Sequence, residues 1–415
     1  MASPASGGRV LYSYGLCAPE RSQTTEEEGA NRMGLTVGII GLPLSGKTTL
    51  FNALTRAGAQ ISGYPTSTVQ ANRAVVEVPD DRLTRLAEIF HPRKIVPTTV
   101  EFVDVAGIGQ GPEGAKQGLS AEFLGHIRNA DALAIVVRCF SNPAAPHPGG
   151  GIDATRDLDD LLTELALTDL ASVEKRLEAS SRKAKSGDKK VIEEVEFLKR
   201  LRAHLNEGQP ISSFEFTSLE EATLRELFPL TLKPRLYVVN VGEETLAAAG
   251  TLLETGDATG DSEELACVRV VRERARAEGA TVVAVSARLE AELGELPAED
   301  AAEYLGALGL PTLGSDRVVQ AGYRALNLIS FLTAGEDEVR AWTVTAGSKA
   351  PAAAGKIHSD FERGFIRAEV VHYDDLLANG GSMKTAREHG QVRLEGKEYV
   401  VRDGDIIEFR FNVSR

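Results

Sequence analysis

Short apolar runs alternate with longer polar stretches through most of the chain. Four of these runs, at 35–40, 100–104, 236–240 and 281–285, end in or are followed by Gly, Asp, Asn or Ser. Short, predominantly apolar runs of this length are typical of strands that are buried on both faces. The pattern therefore predicts an α/β fold, with polar side chains gathered where the strands end.

Residues 152–208 have a different period. Their apolar residues recur every three to five positions and form two stripes, which are Leu158, Leu162, Leu165, Leu170, Val173 and Leu177, then Val191, Val195, Leu198, Leu201 and Leu205. This spacing favours two helices, and Ser186-Gly187-Asp188 between them is a turn signal. The segment is predicted to be an antiparallel, coiled-coil-like helical hairpin inserted into the α/β domain.

From about residue 331 the chain is rich in strands. The predicted strands are Glu338–Val344, Phe365–Val371, Lys397–Val401 and Asp405–Phe411, with a turn at 402–404. The first residues lack a sustained period and are predicted to be a disordered extension. The expected domains are therefore an extension at 1–33, an α/β domain at 34–151 and 209–330, the helical insertion at 152–208 and a β-rich domain at 331–415.

Composition excludes several classes of protein. The 415 residues are 42% hydrophobic and 26% charged, which is ordinary for a folded chain, and no uncharged apolar run reaches membrane-spanning length. A net charge of −14 argues against a protein that coats DNA. The three cysteines Cys17, Cys139 and Cys267 are too widely spaced for a disulfide framework or a zinc site, and Cys139 is interpreted as a packed core residue. A reducing cytoplasm and no membrane partner are expected.

The strongest motif follows the first apolar run. Residues 41–48, Gly-Leu-Pro-Leu-Ser-Gly-Lys-Thr, match G-x-x-x-x-G-K-[ST] between a predicted strand and a predicted helix. Glycines allow the tight turns, and the loop N–H groups converge on phosphate oxygens. Lys47 is expected to act catalytically on the β- and γ-phosphates, and Thr48 to bind Mg²⁺. The predicted nucleotide contacts in this segment are Pro43, Leu44, Ser45, Gly46, Lys47, Thr48 and Thr49.

Two further segments are predicted to complete a magnesium and phosphate site. The run at 100–104 ends in Asp104-Val-Ala-Gly107, a D-x-x-G pattern whose Asp can hold Mg²⁺ through its water shell and whose Gly107 N–H can sense the γ-phosphate. The hydroxyl-rich loop between the two motifs contains Thr66, Ser67 and Thr68. Thr68 is the preferred candidate to close over Mg²⁺, while a plain surface loop is the alternative.

The base site is predicted at the ends of two later strands. Guanine-specific relatives carry N-K-x-D where this chain has Asn240, Val241 and Glu243. Glu is one methylene longer than Asp, so readout of guanine becomes doubtful. Ser286 and Ala287 form a turn that commonly supplies backbone contacts to the base.

These segments resemble the YchF / Obg-like ATPase family, which belongs to the translation-factor-related P-loop GTPases. The resemblance is carried by 41–55, 97–107, V-V-R-C-F at 136–140, L-T-L-K-P at 230–234, 331–344 and 353–368. It implies a Ras-like P-loop domain, a carboxyl-terminal β-grasp TGS domain, and hydrolysis of ATP, with Mg²⁺ as cofactor, at least as well as of GTP. It also implies a hydrophobic residue, Ile108, where many GTPases have a water-orienting Gln, and a water-positioning role for His147. Two alternatives stay open: His147 is a solvent-exposed residue of a Pro/Gly-rich loop without this role, or Gln110 substitutes weakly for the water-orienting Gln.

A basic cluster lies at the predicted hairpin turn. Its members are Arg182, Lys183, Lys185, Lys189 and Lys190, and the expectation is a patch for RNA phosphate or a partner, with an ordinary solvated turn as the alternative. The resulting hypothesis is a slow, monomeric, magnesium-dependent ATPase that associates with ribosomes. A GTP-specific GTPase of ribosome assembly, a non-hydrolysing nucleotide-bound adaptor and a P-loop small-molecule kinase are the rival hypotheses.

Overall fold

The computed structural model describes residues 35–56, 60–61, 72–105, 121–258 and 260–412. In chain order its strands are β1 (Thr36–Ile40), β2 (Gln60–Ile61), β3 (Asn72–Glu77), β4 (Lys94–Val96), β5 (Thr99–Asp104), β6 (Ala132–Cys139), β7 (Arg235–Val241), β8 (Thr281–Val285), β9 (Leu328–Ala334), β10 (Glu338–Thr345), β11 (Phe365–His372), β12 (Arg393–Glu395) and β13 (Asp405–Phe411).

The helices follow in the same order. They are α1 (Lys47–Arg56), α2 (Asp81–Phe90), α3 (Ala121–Asn129), α4 (Ala154–Ala184), α5 (Lys189–Asn206), α6 (Ser218–Leu227), α7 (Glu243–Thr255), α8 (Glu263–Glu278), α9 (Ala287–Leu293), α10 (Ala298–Ala307), α11 (Gly314–Ala325), α12 (Ala350–Ile357), α13 (Ser359–Arg363), α14 (Tyr373–Ala378) and α15 (Met383–Glu388).

Seven strands form the first sheet, in the order β2-β3-β5-β1-β6-β7-β8. The neighbours from β5 to β8 are parallel, whereas β2 and β3 join antiparallel at one edge. Apolar side chains of α1 and α11 cover one face, and those of α3, α4, α7 and α8 cover the other. The strands buried on both faces confirm the predicted α/β class, and the carboxyl ends of β1, β5, β6 and β7 lie side by side.

The helical insertion is confirmed as two long antiparallel helices, α4 and α5. Gly187 in the turn has a φ of +80°, and the Asp188 side chain caps the start of α5. The amino-terminal part of α4 packs in the core of the first sheet, through residues such as Leu158 and Leu165. The hairpin beyond it has an apolar core of its own, which includes Val173 and Leu198.

The second sheet has six strands, in the order β12-β11-β13-β9-β10-β4. Five of its strands lie between Leu328 and Phe411, and the sixth, β4, comes from much earlier in the chain. The strand β4 pairs in parallel with β10, and Leu83 and Leu86 of α2 pack in the core beneath this sheet. The expected division, which placed everything from 34 to 151 in the first domain, therefore differs from the structure at α2 and β4.

Two cysteines are bonded to each other, contrary to the sequence interpretation. Cys139, the last residue of β6, and Cys267 of α8 form a disulfide with their Cα atoms 5.6 Å apart. Cys139 is buried in the core of the first sheet, as expected, but the expectation that the cysteines are too widely spaced to pair is wrong. The residues are 128 positions apart, and only the packing of α8 against the sheet brings them together.

Helices long and apolar enough to cross a lipid bilayer are absent from the described residues.

Candidate functional site

The phosphate loop connects β1 to α1 and passes close to two neighbouring strands. A Cβ on Gly41 would lie 2.5 Å from the Val136 carbonyl oxygen, and one on Gly46 would collide with the Asn240 side chain. Gly46 also has a φ of +93°, which side chains disfavour. Gly41 is therefore required by close approach to a backbone carbonyl, and Gly46 by its positive φ and by the Asn240 amide beside it.

Lys47, Thr48 and Asp104 meet at the ends of β1 and β5. The Lys47 ammonium donates to the Leu42 carbonyl at 2.8 Å, inside the loop. The Thr48 hydroxyl donates to Asp104 Oδ2 at 3.0 Å. Burial lowers the pKa of Lys47 to about 8, against the opposing effect of Asp104. Burial raises the pKa of Asp104, while the Thr48 hydrogen bond and the Lys47 charge lower it.

The oxygen atoms at this point suit a hard divalent cation. Asp104 Oδ1 is buried and has no hydrogen-bond partner in the described part of the chain. A hydroxyl and a carboxylate are ligands that Mg²⁺ accepts, with water and phosphate oxygens completing its shell. No group of three or more His, Cys, Asp or Glu residues that could hold a metal ion occurs in the described ranges. Thr48 and Asp104 therefore fit Mg²⁺ held jointly with a nucleotide.

Asn240 links the phosphate loop to the end of β8. Its Nδ2 donates to the Ser45 carbonyl at 3.0 Å, and its Oδ1 accepts from the Ala287 N–H at 3.0 Å. Ser286, which precedes this N–H, is buried at the amino end of α9. The predicted base-site residues Asn240, Ser286 and Ala287 are thus brought together, with the Asn240 amide used to fix the loops.

Val241 and Glu243 differ sharply in exposure. Val241 is 2% exposed and packs in the core of the first sheet. Glu243 is exposed at the first turn of α7, where its Oε1 accepts a hydrogen bond from the Tyr304 hydroxyl at 2.6 Å. The carboxylate is therefore oriented by α10.

His147 is a partly buried residue whose side chain is only 7% exposed, and both of its ring nitrogens are engaged. Nε2 lies 2.8 Å from Asp157 Oδ2, and Nδ1 accepts from the Gly149 N–H at 3.0 Å and lies 3.3 Å from an Arg156 nitrogen. The ring lines a narrow gap of about 10 Å³ together with Leu42 and other residues of the phosphate loop. The structure thus places His147 beside the loop, locked to the start of α4.

Several predicted residues fall outside the described ranges. These are Thr68 with its alternatives Thr66 and Ser67, and Gly107 with Ile108 and Gln110.

Two residues that contact the site loops were missed by sequence reasoning. Arg138 of β6 donates to the Leu44 carbonyl at 3.3 Å, and Glu264 of α8 accepts from the Gly242 N–H at 3.0 Å and the Ser141 N–H at 3.4 Å. Arg138 could have been noticed in the sequence, because it is a charged residue inside an otherwise apolar run that ends at Cys139. No comparable signal marks Glu264 in the sequence.

The basic cluster lies on the exposed turn between α4 and α5. Arg182 pairs with Glu178, and Lys189 lies 3.8 Å from Glu193, each one helical turn away. The other members, Lys183, Lys185 and Lys190, are exposed. The hairpin therefore presents its positive charge at the end farthest from the first sheet's core.

Family models match both ends of the chain. One described as "50S ribosome-binding GTPase" matches residues 36–190. Another, the YchF-GTPase_C model, whose description is "Protein of unknown function (DUF933)", matches residues 328–412.

Full-length relatives and a solved structure are also similar. The Bacillus subtilis protein named ribosome-binding ATPase YchF is 48% identical over 92% of this chain and 100% of its own length. Its Escherichia coli O157:H7 namesake is 42% identical with the same coverage. The structure of the Schizosaccharomyces pombe YchF GTPase, at 32% identity, covers 91% of this chain and 98% of its own, with a TM-score of 0.74. By this similarity along nearly all of its length, the chain belongs to the YchF family.

Proposed function

We propose that this protein is a magnesium-dependent ATPase that converts ATP to ADP and phosphate and associates with ribosomes. The observation that carries the proposal is the meeting of Lys47, Thr48 and Asp104 at the ends of two parallel strands, directly before a helix N-terminus. An ammonium, a hydroxyl and a carboxylate in this arrangement match the needs of a nucleotide's phosphates and their metal ion.

The phosphate contacts are assigned residue by residue. The backbone N–H groups of residues 44–49, which follow Pro43, bind phosphate oxygens. The Lys47 ammonium neutralises the charge of the phosphates. Thr48 and Thr68 would hold Mg²⁺, and Asp104 would assist through a water molecule. Magnesium, when bound, neutralises charge on the β- and γ-phosphates.

The base contacts favour adenine. Guanine recognition in this superfamily uses an Asp carboxylate that accepts two base N–H groups, and Glu243 presents a longer side chain whose Oε1 already accepts from Tyr304. Val241, where guanine-specific relatives carry Lys, is buried in the core and offers no cation at the base. A site that lacks the guanine-specific pair of acceptors loses its preference for GTP.

Slow intrinsic turnover is part of the proposal. His147, the candidate for positioning the attacking water, has both ring nitrogens engaged by Asp157 and by the loop at Gly149. For His147 to contact water it must leave these partners, and a bound partner macromolecule that moves this loop would accelerate hydrolysis. Gly107 is assigned to the γ-phosphate.

Ribosome association is supported by the names of the relatives and by the hairpin. The relatives compared above are named ribosome-binding ATPases. The exposed lysines at the turn between α4 and α5 give an otherwise acidic protein a surface that suits RNA phosphate. The β-rich domain is proposed to be a TGS-type binding module, and the protein to act as a cytoplasmic monomer.

Steady-state hydrolysis tests the enzymatic part of the proposal. The full chain is incubated with Mg²⁺ and either ATP or GTP, and ADP, GDP and phosphate are measured. Hydrolysis of ATP should stop with EDTA, and Lys47→Ala should lower kcat/KM by about 100-fold or more. The exposed Lys356→Ala serves as a matched control. Undiminished phosphate release from Lys47→Ala would contradict the assignment, and release from GTP alone would favour the GTPase alternative.

A further inference from the structure

Arg138 is a buried cation in an otherwise apolar strand. It is the penultimate residue of β6, its exposed fraction is 3%, and every other residue of β6 is apolar. Arginine stays protonated in proteins, so its burial requires acceptors for its N–H groups. Within the described ranges no carboxylate forms an ion pair with it, and the acceptors must therefore come from elsewhere.

Three backbone carbonyls accept from the Arg138 guanidinium. Nη1 donates to Leu44 at 3.3 Å, Nε to Phe140 at 3.3 Å and Nη2 to Ala145 at 2.7 Å. The guanidinium also stacks 4.6 Å from the centre of the Phe140 ring. One side chain thus joins the phosphate loop to the segment that leads to His147.

The phosphate-loop acceptor has an unfavourable backbone conformation. Leu44 has a φ of +61°, in the left-handed region that a residue with a Cβ disfavours. Its side chain is 53% exposed, so side-chain packing contributes little to holding the turn. The hydrogen bond from Arg138 acts directly on the carbonyl of this strained residue.

We infer that Arg138 is a positioning residue for nucleotide binding, which holds the phosphate loop in its left-handed turn at Leu44. In that conformation the following N–H groups converge toward the start of α1, where the phosphates are proposed to bind. The inference rests on the proposed function only in that a nucleotide binds this loop. The loop contacts phosphates and not the base, so it applies equally to ATP and GTP.

The test combines a loss of the hydrogen bond with removal of the backbone penalty. Affinities for MgATP and MgGTP are measured at equilibrium for the full-length wild type, Arg138→Lys, Leu44→Gly and the double variant. Lysine keeps the charge but loses the planar fork. Arg138→Lys alone should weaken binding by about 10-fold. Glycine adopts a positive φ without strain, so in the Leu44→Gly background the same change should weaken binding by no more than about 2-fold.

Two further variants keep the test decisive. Arg235→Lys alters an arginine that donates to the Thr231 carbonyl at 3.0 Å, at the far end of β7, and should leave affinity unchanged. Phe140→Leu removes the ring under the guanidinium and retains Arg138, which serves if Arg138→Lys does not fold. It should weaken binding about 2- to 5-fold, and again much less in the Leu44→Gly background.

The outcomes separate this inference from the proposed function. An equal loss of affinity in both Leu44 backgrounds would overturn it, as would a lower melting temperature with unchanged affinity, because either result assigns Arg138 to fold stability alone. A wild type that binds GTP and not ATP would contradict the proposed ATPase. The Arg138 inference would then be tested by the MgGTP affinities of the same variants. A wild type that binds neither nucleotide would overturn both.

Discussion

The side-chain amide of Asn240 donates a hydrogen bond of 3.0 Å to the backbone carbonyl of Ser45, which lies 195 positions earlier in the chain. The same side chain accepts from the Ala287 N–H. Three segments that are proposed to touch phosphate and base are therefore held by one buried side chain. Its geometry sets the distance between the phosphate loop and the base site.

Asn240→Ala should weaken nucleotide binding and destabilise the fold together. The change leaves the Ser45 carbonyl and the Ala287 N–H buried and unpaired, which costs about 2–3 kcal/mol in the free energy of unfolding. Affinity for MgATP should fall by about 10-fold, equivalent to roughly 1.4 kcal/mol. Equilibrium binding and urea unfolding measure the two effects. Asn129→Ala, which removes an exposed bond to the Gly125 carbonyl, is the control, and equal behaviour of the two variants would contradict the account.

Reduction of the Cys139–Cys267 bond should lower stability without unfolding the protein. The bond closes a loop between residues 128 positions apart, for which chain entropy predicts a stabilisation of about 4–5 kcal/mol. Urea unfolding with and without dithiothreitol measures it, and thiol titration of the unfolded, unreduced protein should find one free thiol among the three cysteines. Cys267→Ser should abolish the effect of dithiothreitol. Three titratable thiols before reduction would contradict the pairing.

Asp169→Asn should be among the most destabilising changes in the helical hairpin. Its carboxylate accepts from the N–H groups of Leu230 at 2.7 Å and Thr231 at 2.8 Å, and from the Thr231 hydroxyl at 2.7 Å. An amide NH₂ facing these donors leaves buried groups unpaired, at a cost of about 2–3 kcal/mol. Denaturant unfolding provides the measurement.

Asp159→Asn is the matched control for this change. Asp159 lies on the same helix but is exposed and pairs with Arg274 at 2.7 Å. Loss of such a surface pair should cost less than about 1 kcal/mol. Similar losses for the two variants would contradict a buried, helix-anchoring role for Asp169.

Charge reversal at the hairpin turn should weaken ribosome binding. Lys183→Glu combined with Lys190→Glu replaces exposed positive charge by negative charge at the proposed RNA surface, so co-sedimentation with ribosomes should fall and its salt dependence should become shallower. The same reversal at Lys175 and Lys199, on the exposed flanks of α4 and α5, is the control. Equal losses for both pairs would indicate a response to net charge rather than to the turn.

Local patterns were sufficient to predict much of the fold. The phosphate loop, the buried strands that frame it and the two helices around Gly187 follow from residue types at short spacing. The predicted apolar stripe of α4 was only approximately right. Leu161 and Asp169 are buried, whereas the stripe had placed Leu162 and Leu170 there. A buried Asp there compensates backbone N–H groups from a distant turn, which helical periodicity does not encode.

Long-range packing explains what the sequence did not reveal. The strand β4 pairs with β10, more than 240 residues later, and neither carries a signal for the other. The partners of Cys139 and Arg138 likewise come from distant segments or from backbone carbonyls. The burial of His147 depends on Asp157, which reads in sequence as one more surface carboxylate of a helix.

Base preference tests the central claim most directly. Fluorescent ATP and GTP analogues are titrated with Mg²⁺ against the wild type and against Val241→Lys combined with Glu243→Asp. The account predicts that the wild type binds the ATP analogue more tightly and that the double variant shifts toward the GTP analogue, because the shorter carboxylate and the lysine restore the pattern of guanine-specific relatives. A wild type with a strong preference for the GTP analogue would contradict the ATPase assignment.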